Sequence, residues 1–257
     1  MTAEGDRFLA ALRERLELEL AGGLDVLPRG QRPAAPGNAN CNANCTLKLA
    51  PSLPLPLPIH PAADSPLGQL CAEALPCTRC KLATTRTQVV FGVGNPKAAL
   101  MFVGEAPGAD EDEQGEPFVG RAGQLLTKLL KEAGISREEV YIANILKCRP
   151  PGNRPPQDDE ISQCTPWLRK QLELIRPKIV CALGNFALSF LLGAGGITRM
   201  RGKFVPKEDY LVFATYHPSY LFRSPGETSK VQADLKILAE KYRELMKESA
   251  GEGRPSH

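Results

Sequence analysis

The side chains that could do chemistry in this chain sit at the ends of its apolar runs. The densest set is Gly104-Glu105-Ala106-Pro107-Gly108 with the stretch behind it to Gly123, GEAPGADEDEQGEPFVGRAG. A loop rich in glycine, proline and carboxylates on the end of a core strand is where α/β proteins keep their chemistry. Asn144 closes a second apolar run, Gly184-Asn185 a third, and Thr215-Tyr216-His217-Pro218-Ser219 a fourth. Of the three histidines, His257 is terminal and His60 lies in a proline-rich stretch, so His217 alone stands at a strand end. The acidity of the first loop also suits a hard cation held by Asp110–Glu113, which would make the protein a metal-dependent hydrolase.

Cysteines form the second chemical set. Cys77 and Cys80 are a C-x2-C pair, and Cys148 and Cys164 a second pair downstream. The start of the chain is charged and lacks the apolar core of a signal peptide. We therefore expect a cytoplasmic protein, where thiols stay reduced and bind metals before they form disulfides. Four thiolates suit a tetrahedral zinc or an iron–sulfur cluster, and spacing leaves both open. Cys181 reads as a core residue within a strand, Cys71 as packing on a short helix, and Cys41 and Cys45 as incidental linker residues. The loop from Lys147 to Arg154 is basic and stiffened by proline. A metal staple would hold Lys147, Arg149 and Arg154 as a shelf for a phosphate backbone.

The elements that must position these groups follow from periodicity. Continuous apolar runs at 98–103, 140–144, 178–183 and 210–214 predict four buried strands. Helical patterns at 69–74, 122–133, 158–175, 185–192 and 226–247 precede, separate and follow them. That alternation predicts a parallel sheet covered on both faces, with ligands at the carboxyl ends of the strands. Before it, residues 1–21 hold a helix and 22–66 a Pro/Asn-rich linker; the domain spans 67–248 and 249–257 is a polar tail. No apolar run approaches the ~18 residues of a membrane span, so no membrane contact is expected. A net charge of +3 permits a nucleic-acid partner without arguing for one.

Taken together, GEAPG…EDEQGEPFVGRAG, IANILKCRPPGNRPP and YHPSYL resemble the family 4 uracil-DNA glycosylases, the iron–sulfur class, over roughly residues 67–246. Glu105 stands where a sister class with GLAPG has an apolar residue. The resemblance implies a three-layer αβα fold, a four-stranded parallel sheet flanked by helices; the N-terminal extension, which the resemblance does not cover, is expected from its composition to be partly disordered. It implies a [4Fe-4S] cluster on Cys77, Cys80, Cys148 and Cys164. It implies a monomer that excises uracil from single- or double-stranded DNA. A DNA-binding module that carries the cluster without catalysis is the non-enzymatic alternative.

On that resemblance the target base is flipped out of the stack, and Leu221 of the Ser219-Tyr220-Leu221 loop fills the gap as an apolar wedge. Phe118 stacks on the base, and Asn144 reads its Watson–Crick edge. His217 holds the charge that develops on uracil O2, helped by backbone N–H groups of Gly104 to Ala106. Glu105 positions or activates water and faces the cationic sugar. Arg149, Arg154, Ser219 and Arg223 contact DNA. Better-known relatives have GQDPY, so Ala106 and Gly108 replace a catalytic aspartate and a tyrosine that excludes thymine. Glu105 takes over part of the first role, and Glu111 or Glu116 the second. Asp110, Asp112 and Glu113 are left as a solvated set. No lysine in these motifs is placed to form a Schiff base, which predicts hydrolysis without strand cleavage.

Overall fold

The computed structural model describes residues 61–193 and 195–251. The helix expected within 1–21, nearly all of the linker and the end of the tail lie outside these residues. The domain begins with α1 (Pro66–Ala74), where proline opens the helix and the Ser65 hydroxyl accepts the Gly68 N–H at 3.0 Å.

Six strands build one mixed sheet: β1 (Val93–Gly94), β2 (Leu100–Gly104), β3 (Tyr141–Asn144), β4 (Ile179–Leu183), β5 (Phe204–Lys207) and β6 (Tyr210–Thr215). Their order is β1-β3-β2-β4-β6-β5. The four predicted strands form the parallel centre. The expectation of a purely four-stranded parallel sheet is corrected by two antiparallel edges, β1 on β3 and β5 on β6. Neither edge carried a sequence signal. β1 is two residues long, and β5 holds Pro206 and is only partly buried.

Alternation along the parallel strands divides the core. Met101, Val103, Val180 and Ala182 face one layer with α1, α4 (Asp158–Ile175) and α5 (Asn185–Leu192). Leu100, Phe102, Ile179 and Cys181 face the other, with α3 (Arg121–Glu132), α7 (Pro218–Arg223) and α8 (Thr228–Gly251). The period of two sends successive side chains to opposite helical layers, which gives the expected three-layer αβα arrangement. The bounds of α4 follow from its sequence. Asp158, Asp159 and Glu160 fill its first turn, and Arg176 ends it in a left-handed turn before Pro177.

The acidic loop is itself structured. Residues 109–114 form the short helix α2 (Ala109–Gln114), and Asp112 is buried. Its carboxylate accepts the Thr87 N–H at 3.0 Å and the Gln88 N–H at 3.4 Å. The solvated set expected at Asp110, Asp112 and Glu113 therefore loses Asp112, which ties α2 to the chain before β1. A remaining short helix, α6 (Ile197–Met200), precedes β5.

Candidate active site

β2 lies between β3 and β4, so the chain leaves it first to one side and later to the other. A crevice opens at such a switch point, outside the carboxyl ends of the strands. Here it is a cleft of about 530 Å³ lined by Glu105 after β2, Asn144 at the end of β3, Gly184 and Asn185 after β4, and His217 after β6. The four strand ends singled out in the sequence thus meet in one place. A larger hollow of about 680 Å³ lies at the opposite rim, where Pro177 and Tyr210 precede or begin strands, and its arginines alternate with carboxylates. It holds none of the strand-end groups.

Asn144 is buried, and its Oδ1 has no hydrogen-bond partner within the protein. A buried orphan acceptor costs stability unless something else fills it. Gly104 makes the space around it. A Cβ there would lie 2.3 Å from Asn144 Oδ1 and 2.6 Å from Phe118 Cζ. Glycine at 104 is therefore a steric requirement of the cleft wall.

Phe118 is buried, and its ring centroid lies 5.5 Å from that of His217. Its φ of 56° is left-handed, a conformation that costs a bulky residue roughly 1–3 kcal/mol. A clasp holds it there. The Glu111 carboxylate accepts N–H groups of Gly108, Val119 and Gly120 at 2.9–3.0 Å. Arg137 donates to the Pro117 carbonyl at 2.8 Å and to Thr127 Oγ1 at 3.1 Å. Gly123 lets α3 pass so close that a Cβ would fall 1.8 Å from the Phe118 oxygen. Glu111 lines the cleft, as expected, while its carboxylate accepts from these three backbone donors. The expected Glu116 lies within electrostatic reach of Arg137.

His217 caps the start of α7. Its Nδ1 accepts the Ser219 N–H at 3.2 Å and pairs with Ser219 Oγ at 2.7 Å. An accepting Nδ1 leaves the ring proton on Nε2. Enclosure of the ring, with Arg223 nearby, pushes its pKa down to about 4, so the imidazole is neutral at pH 7. Burial has the opposite effect on Glu105 and raises its carboxyl to about 7. A donor that is uncharged and a carboxylate poised to take a proton stand in one cleft.

Several expected DNA contacts are placed differently. Lys147 is buried rather than on a shelf. Its Nζ donates to the Asn144 carbonyl at 2.9 Å and to Gln171 Oε1 at 2.6 Å. Arg154 lines the cleft but forks onto the buried carboxylate of Glu160. Arg149 donates to Asn153 Oδ1 at 2.8 Å. The Ser219 hydroxyl is engaged by His217, and Leu221 is packed in the core at 3 % exposure. Arg223 is exposed at the rim, as expected. Sequence reading missed Phe186 and Ile197, which also line the cleft. It also missed Asp234, which accepts from Thr215 Oγ1 at 2.7 Å and from Arg201 at 2.7 and 3.0 Å beneath the His217 strand end. Such pairings join distant segments and leave no local pattern.

The four cysteines line a second, small hollow together with Arg79, Arg86 and Trp167. Arg86 donates to the Cys77 carbonyl at 2.6 Å and to Cys148 Sγ at 3.3 Å, and the Lys147 N–H points to Cys164 Sγ at 3.1 Å. The Trp167 Nε1–H is buried without an acceptor. Among the described residues no group of three or more His, Cys, Asp or Glu side chains is placed to hold a metal ion. Cys71 packs against the core and does not line this hollow.

An α/β sheet with a polar cleft at its switch point is a common place for a ligand, and comparison with known proteins shows the family. The family described as the uracil DNA glycosylase superfamily matches residues 91–240, and the chain belongs to it. A type-4 uracil-DNA glycosylase of Sulfurisphaera tokodaii is 44% identical over 184 residues, 68% of this chain and 84% of that protein. Another from Archaeoglobus fulgidus is 44% identical over 183 residues, 68% of this chain and 92% of its own length. A third from Thermotoga maritima is 50% identical over 154 residues, 58% of this chain and 79% of the relative. Within the superfamily the chain is a member of the type-4 class. No described helix is long and apolar enough to cross a membrane.

The cleft wall makes a direct prediction. Gly104→Ala forces Asn144 and Phe118 apart and is expected to lower base release by about 10²-fold, while far-UV circular dichroism stays that of the wild type.

Proposed function

We propose that this type-4 uracil-DNA glycosylase hydrolyses the N-glycosidic bond of uracil in DNA through Asn144, His217 and Glu105, without a covalent intermediate, and so starts base excision repair. The observation that carries the reading is the buried, unpartnered Oδ1 of Asn144 beside the Phe118 ring. Uracil N3–H donates to that oxygen, and the amide nitrogen donates to O4. Cytosine presents the reverse pattern and leaves acceptor against acceptor, at about 1–3 kcal/mol for each unpaired group.

As the bond from C1′ to N1 breaks, its electron pair moves onto uracil and charge gathers at O2. The neutral His217 offers its Nε2–H there. A donor fixed in advance where charge develops stabilises the transition state. Glu105 faces the cationic sugar, and water attacks C1′ while its proton passes to the carboxylate. Among the described residues no lysine lines the cleft, which supports release of the base without strand cleavage. The metal-hydrolase alternative loses two of its four ligands, because Asp112 and Glu111 are occupied by backbone N–H groups. We assign phosphate contacts to Arg223 and Arg149, with Arg154 and Ser219 shaping the rim. We also propose a cytoplasmic monomer, since one chain supplies the whole cleft and its thiols must stay reduced.

Cys77, Cys80, Cys148 and Cys164 are proposed to hold a [4Fe-4S] cluster. Support comes from an all-sulfur donor set around one hollow and from N–H groups of Arg86 and Lys147 directed at sulfur. The Trp167 N–H, orphaned in the protein, adds a donor that sulfur can accept. Such a cluster supplies a covalent staple between the segment before β1 and the loop after β3. Glycosidic hydrolysis transfers no electrons, so the residues of the cleft carry the reaction.

Two measurements test these readings. Release of uracil from an oligonucleotide should persist in EDTA and fall about 10²–10³-fold in Asn144→Ala and His217→Ala. Only the charged form of Glu105 can take the water's proton, so the rate should climb as pH passes about 7 and then level. His217 is already neutral above about 4 and adds no limb near its ordinary value. Glu105→Gln should flatten the climb; a rate that still rises through pH 7 in that variant would show another base at work. Second, the purified protein should contain iron and little zinc. Trp167, the one tryptophan of the chain, should be dim in the loaded protein and brighten when iron is removed.

A further inference from the structure

A base leaving a duplex opens a hole in the stack, and the duplex closes again unless something fills it. The side chain that does so must reach solvent at the mouth of the base pocket. Leu221, expected in that role, is buried with Tyr216, Val231 and Leu235 in one helical layer. Extracting it would unravel α7 and empty part of the core. The next residue, Phe222, is 44 % exposed. Among the described residues it is the one aromatic side chain in the set of large exposed apolar groups, which otherwise holds Leu75, Leu174, Ile237 and Met246.

Its position is what gives the exposure meaning. Phe222 lies on α7 between residues that line the cleft, with Ser219 and Tyr220 before it and Arg223 after it. The exposed Arg121, first residue of α3, sets its guanidinium 4.8 Å from the ring centroid. A cation over a ring face limits the ring's freedom without covering its edge. Arg121 is an exposed cation directly before Ala122 of the cleft lining, a residue type that commonly contacts phosphate.

We propose that Phe222, steadied by Arg121, is the side chain that enters the duplex as the base departs, and that Arg121 then receives the adjacent phosphate. The proposal rests on the reading of the neighbouring cleft as a uracil pocket. It assigns to Phe222 a positioning role, since it holds the flipped state and touches no reacting atom. Single-stranded DNA has no opposite strand to close the gap, so the role matters chiefly in duplexes.

The test compares single-turnover release from the same uracil oligonucleotide, alone and annealed opposite guanine. Phe222→Ala should lower the duplex-to-single-strand rate ratio by about tenfold or more, and Phe222→Leu should restore most of it. 2-Aminopurine beside the uracil should brighten on binding of wild type to the duplex and brighten less with Phe222→Ala. Leu221→Ala should lower Tm and slow both substrates alike, as a core residue does. An unchanged ratio in Phe222→Ala would overturn the proposal, as would a ratio that falls in Leu221→Ala instead. Failure of the wild type to release uracil from either substrate would overturn the reading of the cleft and leave the wedge without a pocket to serve.

Discussion

Partial burial of polar groups at the rim where four parallel strands end is the constraint on which the rest of the structure depends. It acts on three groups at once. It pushes Glu105 up to about 7 and His217 down to about 4, and it leaves Asn144 Oδ1 without a partner. Each of these costs the folded state something, because a buried polar group has given up water. Together they leave in one crevice a carboxyl raised to about 7, a neutral imidazole and an unpartnered acceptor. Active sites concentrate such perturbed groups because catalysis needs them pre-set rather than assembled at each turnover.

Holding that arrangement takes a surrounding set of ordinary interactions. Glu111 and Arg137 fix the left-handed Phe118, and Gly104 and Gly123 let backbones and rings come within contact. Asp234 and Arg201 brace the strand end that leads into His217. On the other side, Lys147 reaches under Asn144 and hydrogen-bonds its carbonyl, while its own N–H meets Cys164. The cysteine hollow and the base cleft are therefore linked through Lys147, which lines the hollow beside Cys148 and follows Asn144 of the cleft by three residues. A staple in that hollow would stiffen the Pro150–Arg154 edge of the cleft at no cost to its chemistry.

Much of this was legible in the residues themselves. Parallel strands buried on both faces write continuous apolar runs, and the four central strands were found within two residues of their bounds. The convergence of Glu105, Asn144 and His217 followed from topology alone, and Phe118 joined them through family likeness. What stayed hidden was whatever depends on pairs far apart in sequence. Lys147 and Arg154 look like surface cations until Gln171 and Glu160 are seen beside them. α2 is too short for a helical period to show, so Asp112 looked solvated and the backbone partners of Glu111 could not be foreseen. α7 is also only six residues long, which is why its buried Leu221 and its exposed Phe222 could not be told apart.

The central claim is that the rim holds His217 as a neutral imidazole that donates from Nε2. Nitrogen-15 NMR of the ring tests it most directly, and with three histidines in the chain the signals are few. One proton, on Nε2, is expected at pH 7, with a titration midpoint near 4. An imidazolium at pH 7, or a neutral ring protonated on Nδ1, would contradict it.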